Sequence, residues 1–267
     1  MTTMKPSAAP LPADDRHFVT ALARGLSVLA CFRSSDRVLG NTEIAQRCKL
    51  PKSTVSRLTY TLTKLGYLVV DEPSGQYRLG SATLGLASSM LARMDLRQAA
   101  RPLMQELADF SNASVSLAVR DRLSMIHVEV CRGPGTYDLT IGVGTRMPLA
   151  TSAMGRALLA AVPDSERAEI LARAHDFDEL AAQQIIEGIA HGQADMARYG
   201  CATSFGDWVP DTNGIAIAFQ PEEGRPFMAL NCGAPNLSRE LLLNEVRPRM
   251  IELVAKLKAL PRQPQES

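Results

Sequence analysis

From Lys52 to Tyr60 the chain reads K-S-T-V-S-R-L-T-Y, and helical spacing collects Lys52, Ser53, Thr54, Ser56, Arg57 and Tyr60 on one side, with no carboxylate among them. Short hydroxyls and a lysine near a helix N-terminus suit phosphate oxygens. An arginine one turn further in can reach O6 and N7 of a guanine in a major groove. Taken alone, such a face is also what any solvated helix shows, so its weight depends on the charge and the elements around it.

Charge points the same way. Residues 1–95 carry 12 Lys or Arg against 7 Asp or Glu, residues 96–267 carry 17 against 21, and within Arg24 to Lys64 the count is 8 against 2. A local cationic excess of this kind displaces counterions from a nucleic-acid backbone, while the nearly neutral whole, net +1, gives the second half a different kind of partner.

The elements that must position this face are two short helices and a turn. Ile44, Ala45 and Cys48 recur at helical spacing, Leu50 and Pro51 interrupt, and Val55, Leu58, Leu62 and Leu65 resume at steps of three and four. Pro51 fits a first helical turn, Gly66 fits a left-handed terminus, and Asn41 or Thr42 can cap the first of the two helices. Ahead of them a helix over 19–32 is expected to turn Leu22, Leu26, Leu29 and Ala30 inward and Arg24 outward. Val38 and Leu39 read as a short extended segment.

After Gly66, residues 67–70 and 76–79 read as two strands around the turn D-E-P-S-G, with Arg78 on the second. Three helices closed by a hairpin make a winged helix-turn-helix over 18–80. Residues 1–17, rich in Pro and Ala, read as a disordered arm, and 261–267 as a tail. The segment 81–95 combines helical spacing with small residues (Ala82, Gly85, Ala87, Ser88, Ser89) and reads as a linker helix joining two subunits.

Residues 96–260 alternate differently. A helix over 96–110 is expected first, then a hairpin over 114–120 and 124–132 and a strand over 137–143. Helices follow over 151–162, 164–174 and 177–199, strands over 201–209, 214–219 and 227–232, and one closing helix over 238–260. Strands in two groups with helices between and outside them indicate an α+β domain with an antiparallel sheet.

Other chemistries find little support. Five cysteines without a C-x-x-C pair and four scattered histidines argue against a disulfide framework or a metal site, and no cofactor is expected. Cys201, Cys232, His127, His175 and His191 are the candidates for a nucleophile and base, but no two sit at a catalytic spacing. G-x-S-x-G, a P-loop and H-E-x-x-H are all missing, so an enzyme is not expected. His127, on an alternating strand, reads as a satisfied sheet residue. With no apolar run of 18 residues and no leader-like start, a cytoplasmic protein without a membrane span is expected.

Four phrases in order, ALARGLSVLACF, LPKSTVSRLTYTLTKLGYL, YRLG and GTRMPLATSAMGRALLA, resemble the IclR family of bacterial transcriptional regulators over about residues 18–258. The resemblance implies a winged helix-turn-helix, a dimerising linker helix and a C-terminal effector domain of GAF/PAS-like topology. It implies a homodimer or pair of dimers on double-stranded promoter DNA, repressing or activating a metabolic operon of catabolic type in response to a small carboxylate or aromatic metabolite. By position it puts the effector pocket at Met147, Ser152, Ala153, Met154, Ser204, Thr212, Gly214, Leu230 and Cys232, with Leu139 nearby, and the helix N-terminus at 152–154 suits a carboxylate. Members that bind small oxoacids carry a cysteine in place of Gly214 and serines in the last strand. Here Gly214, Leu230 and Cys232 are expected to leave a roomier pocket with fewer hydroxyls, with Trp208 either a wall of it or a core or dimer contact.

Overall fold

The computed structural model describes residues 16–33, 36–92, 94–134, 136 and 141–260. Two compact units divide the chain, Met1–Arg93 and Met94–Ser267.

In the N-terminal unit α1 (Thr20–Ala30), α2 (Asn41–Cys48) and α3 (Lys52–Lys64) precede a hairpin of β1 (Leu68–Asp71) and β2 (Gln76–Leu79), in which Leu68 faces Leu79. Leu39 bridges to Tyr77 and gives the hairpin a third, one-residue strand, the arrangement of a winged helix. The core is Val28, Cys31, Leu39, Ile44, Ala45, Cys48, Val55, Leu62 and Leu68. Lys49 adopts a left-handed conformation to end α2, Pro51 caps α3 without spending an N–H, and Gly66 at φ +77° ends it.

Three local expectations differ. Leu22 and Leu26 are exposed, and α1 packs through Val28 and Cys31 instead. Helical spacing identifies an apolar face without saying what covers it. Leu65 is likewise exposed. Its place in the stripe is taken by Thr59, whose Oγ1 donates to the Val55 carbonyl at 3.0 Å and so can be buried at no polar cost. Gly40, not Asn41 or Thr42, caps α2, because the Asn41 amide is engaged across the turn with Ser56 Oγ at 2.7 Å.

α4 (Ser81–Ala92) follows with no buried residue, and Leu84, Leu86 and Met90 stand exposed on it.

The C-terminal unit is a six-stranded antiparallel sheet between two helical layers. Its elements are α5 (Asp95–Ser111), β3 (Ser114–Asp121), β4 (Ser124–Arg132), β5 (Arg146–Pro148), α6 (Ala153–Ala161), α7 (Asp164–His175), α8 (Glu179–Tyr199), β6 (Ala202–Phe205), β7 (Thr212–Phe219) and β8 (Met228–Pro235). Strand order is β5-β4-β3-β8-β7-β6. Ala118, Met125, Ala202, Ala216 and Ala229 turn toward α6, α7 and α8, and the four alanines let α6 lie close to the sheet. Gly188 and Gly192 do the same for α8, since a Cβ on either would fall 2.8 Å or less from a backbone oxygen of the α6 region.

The strand expected over 137–143 falls largely outside the described residues, and 141–143 are not strand. Met147 instead pairs with Met125 in β5. The strand expected over 201–209 stops at Phe205, where Gly206 takes φ +82° and opens a loop. The single closing helix expected over 238–260 is three segments, Arg239–Leu241, a π-helical stretch Leu242–Val246, and Arg247–Ala259. Pro248 has no N–H to return to residue 244, which favours the wider turn just before it.

Candidate functional site

On α3 the exposed residues are Lys52, Ser53, Ser56, Arg57, Tyr60, Thr61 and Lys64, while Thr54 is half-buried against the unit. Ser56, Arg57, Tyr60 and Thr61 line one shallow depression. Ser56 is not a free hydroxyl, because it accepts from Asn41 and donates to the Lys52 carbonyl at 3.0 Å and so clamps α2 to α3. The Lys64 ammonium sits 5.5 Å from the Tyr60 ring centroid. Arg57 has its side chain in solvent and no acidic residue on its face. Arg24 on α1 and Arg78 on β2 are exposed as well. By contrast Arg47 is consumed internally. It pairs with Asp36, bonds the Cys31 carbonyl at 3.0 Å and holds the Asp36 carboxyl below its ordinary range.

The second site is a cavity in the C-terminal unit of about 520 Å³ including its mouth, between the sheet and the start of α6. Its floor comes from facing residues of three strands. Ser114 is opposite Gly233, Ser116 opposite Asn231, and Gly214 opposite Gly233. The Gly214 and Gly233 pair leaves bare backbone there, and a Cβ on Gly233 would meet the Asn213 carbonyl oxygen at 2.8 Å. Met147, Ile141 and Trp208 supply apolar walls, and Ser152, Ala153, Ser204 and Thr212 close the circuit.

The bulge in the β3–β4 pairing decides what β4 contributes. His127 faces Ala118, Glu129 faces Leu117, and Val128 between them has no partner. The extra residue sends His127 to the cavity side and Glu129 to the opposite side, where its buried carboxylate pairs with Arg97 at 2.8 Å and with Arg101 on α5. His127 is 2% exposed and neither ring nitrogen has a hydrogen-bond partner; burial lowers its pKa to about 4, so the imidazole is neutral. The Ser114 and Ser116 hydroxyls are buried and unpartnered as well.

The N-terminus of α6 opens onto the same space. Ser152 caps it, accepting from Gly155 N–H at 3.2 Å and donating to the Pro148 carbonyl at 2.6 Å, so the N–H groups of Ala153 and Met154 keep no intrahelical acceptor. Buried Arg156 donates to the carbonyls of Ala150 (3.1 Å) and Thr203 (3.0 Å) and to Asp207 Oδ2 (2.7 Å), tying α6 to the turn before it, to β6 and to the loop after β6. Asp207 also accepts from Phe205 N–H at 3.2 Å, which fixes the loop that carries Trp208.

Of the pocket residues expected from sequence, Met147, Ser152, Ala153, Ser204, Trp208, Thr212 and Gly214 line the cavity. Leu139 lies outside the described residues. Met154 contributes backbone at most, since its side chain is wholly buried in the core under α6. Leu230 and Cys232 are corrected. Period-two alternation turns Asn231 and Gly233 to the cavity and sends Leu230 and Cys232 to the far face, where Cys232 Sγ meets Ser111 Oγ of α5 at 3.5 Å. The expectation of few hydroxyls fails with them, because Ser114, Ser116 and Asn231 restore polar groups. His127 is not a satisfied sheet residue.

The thiols considered as nucleophiles are placed unfavourably for that role. Burial pushes Cys201 and Cys232 up to about 11, His191 is exposed, and His175 pairs at 3.2 Å with Glu179.

Comparison with known proteins bears on both sites. Residues 21–72 match the IclR helix-turn-helix domain and residues 88–262 the bacterial transcriptional regulator IclR C-terminal domain. The chain is 34% identical to the HTH-type transcriptional regulator TsaQ1/TsaQ2 of Comamonas testosteroni over 90% of this chain and 88% of that protein. It is similar to the crystal structure of an IclR family transcriptional regulator from Brucella abortus, with TM-score 0.81 and 42% identity over 98% of this chain and 100% of that one. It is also similar to an IclR homolog from Microbacterium hydrocarbonoxydans complexed with 4-hydroxybenzoate, with TM-score 0.68 and 25% identity over 90% and 100% of the two chains.

Proposed function

The chain belongs to the IclR family of DNA-binding transcriptional regulators, and from that premise we propose that it is a ligand-responsive regulator, not an enzyme, that controls a catabolic operon through a small carboxylate or aromatic metabolite. The observation that carries this reading is the cavity of the C-terminal unit. Its buried Ser114, Ser116 and His127 lack protein partners, and the free N–H groups of α6 can hold a carboxylate. The 4-hydroxybenzoate bound by the Microbacterium relative supports an aromatic carboxylate as the class to try first.

In the N-terminal unit α3 enters the major groove. Arg57 reads a base edge, Lys52, Ser53 and Arg78 contact phosphates, and Tyr60 packs on the backbone with Lys64 beside it. The subunits pair through apolar faces of the same unit: Val19, Leu22 and Leu26, three to four residues apart on one side of α1, and Leu84, Leu86 and Met90 on α4 are all more than half exposed. Two-fold pairing places the two recognition helices about 34 Å apart or a multiple of that. A ligand that prefers one arrangement of the dimer shifts operator affinity, and coupling of about 1–3 kcal/mol corresponds to roughly 5- to 150-fold.

The test is a mobility-shift titration on DNA from the region upstream of the gene. Arg57→Ala is expected to cost about 1–3 kcal/mol on the cognate site and much less on random DNA. Lys52→Ala weakens both alike and reduces the salt slope by about one. Equal losses on both DNAs for Arg57→Ala make it a phosphate contact instead.

A further inference from the structure

Any occupant of the cavity must satisfy an uneven set of groups. Among the described residues the lining contains no Asp, Glu, Lys or Arg, and their one titratable side chain, His127, is kept neutral by burial. The first turn of α6 can therefore meet one negative charge, and the rest of the described lining can meet none. A second carboxylate would be desolvated without a counter-charge, which is strongly unfavourable.

Away from α6, the β3–β4 wall holds Ser114 and Ser116, two residues apart on one strand and therefore on one face, with His127 across the adjacent pairing beside Ala118. All three are over nine-tenths buried, and none has a partner for Oγ, Nδ1 or Nε2. A neutral imidazole presents one donor and one acceptor, and a serine hydroxyl presents both. A carbonyl on the occupant could only accept and would leave the imidazole acceptor unmet, whereas a hydroxyl can donate to it and accept from a serine. Between the two ends the Gly214 and Gly233 floor and Trp208 leave a flat apolar slot.

We propose that Ser114, Ser116 and His127 form a subsite for an uncharged hydroxyl, so that the pocket takes a flat monocarboxylate with its carboxylate at α6 and a hydroxyl at the opposite end. This rests on the reading of the cavity as the effector site. It goes beyond that reading in excluding dicarboxylates and in making the serine and histidine wall the determinant of specificity. No protein group among the described residues partners them, so a ligand without the hydroxyl shuts them away from water unmet, and discrimination against it is large.

The chain contains a single tryptophan, and it lines the cavity, so Trp208 emission reports occupancy directly. The experiment titrates the full-length protein with 4-hydroxybenzoate, benzoate, 4-hydroxyphenylacetate, phenylacetate and terephthalate, following Trp208 emission and heat of binding together. The expected result is that a hydroxylated acid binds at least about tenfold tighter than its partner without the hydroxyl and that terephthalate does not bind. In Ser116→Ala and in His127→Phe the ratio falls below about threefold. Because a ratio of affinities is read within each variant, a partly destabilised variant still reports. Both members of each pair binding equally, with Trp208 responding, would overturn the hydroxyl subsite and leave the effector cavity standing. Heat of binding without any change in Trp208 emission would overturn the cavity reading itself. If none of the five acids binds, the monocarboxylate assignment is overturned.

Discussion

Arg156 ties α6 to β6 and to the loop that carries Trp208, and replacing it by Met tests how. The guanidinium is 7% exposed and gives three hydrogen bonds, to the Ala150 and Thr203 carbonyls and to Asp207. Methionine keeps much of the apolar stem but leaves two carbonyl oxygens of a buried turn and strand without these donors. Leaving a buried acceptor unmet costs about 1–3 kcal/mol, so losing the donors to both carbonyls costs about 3–5 kcal/mol in all. Asp207, by contrast, is 43% exposed and is rehydrated when its partner goes, and Asp207→Asn keeps an acceptor for the guanidinium, so its cost is about 1 kcal/mol or less. A unit of this size loses about 2–4 °C of Tm per kcal/mol, so Arg156→Met should lower the transition by about 6–20 °C and Asp207→Asn by a few degrees at most. Urea unfolding followed by Trp208 emission isolates this unit, because the other unit has no tryptophan. If Arg156→Met loses less than about 1 kcal/mol, or the two variants lose equally, the interaction is only a surface pair and Arg156 does not hold α6 to β6.

The remaining predictions concern pH and assembly. The folded state binds the His127 proton less tightly than the unfolded chain, about pH 4 against 6.5, so stability is whole above about pH 6.5 and drains away as pH falls toward 4. That loss amounts to about 3 kcal/mol, and His127→Gln should flatten the slope in that window; superimposable slopes for the two proteins refute the burial argument. Leu26→Asp places a charge on the exposed α1 face and should yield a monomer by light scattering at micromolar concentration; an unchanged assembly moves the interface elsewhere.

What the sequence revealed and what it hid follow from how each element is buried. The helix-turn-helix was legible because Ile44, Val55 and Leu62 keep helical spacing and because Pro51 and Gly66 punctuate it. Leu22 and Leu26 keep the same spacing, yet they face outward; a partner subunit covering them would produce the same pattern as a core. The cavity was half legible. Residues in loops and at the α6 N-terminus, such as Ser152, Trp208 and Thr212, line the cavity, but β8 is covered on both faces. Nothing in M-A-L-N-C-G-A therefore says which parity meets the cavity, and a shift of one residue exchanges Leu230 and Cys232 for Asn231 and Gly233. A signal for the missed wall did exist. In S-V-S-L-A-V the serines of β3 alternate with apolar residues in a strand otherwise buried on both faces, and a polar row of that kind needs a partner. The bulge that turns His127 and Glu129 to opposite sides left no mark in spacing.

Whether occupation of the cavity changes how α3 holds its DNA is decided by fluorescence anisotropy of full-length protein on its cognate upstream DNA, with and without an acid that alters Trp208 emission. Operator affinity should change roughly 5- to 150-fold in the intact protein, and Arg57→Ala should lose specific binding. Cavity variants such as Ser116→Ala should bind DNA normally without ligand. An operator affinity that stays the same while Trp208 shows the cavity filled would contradict this coupling.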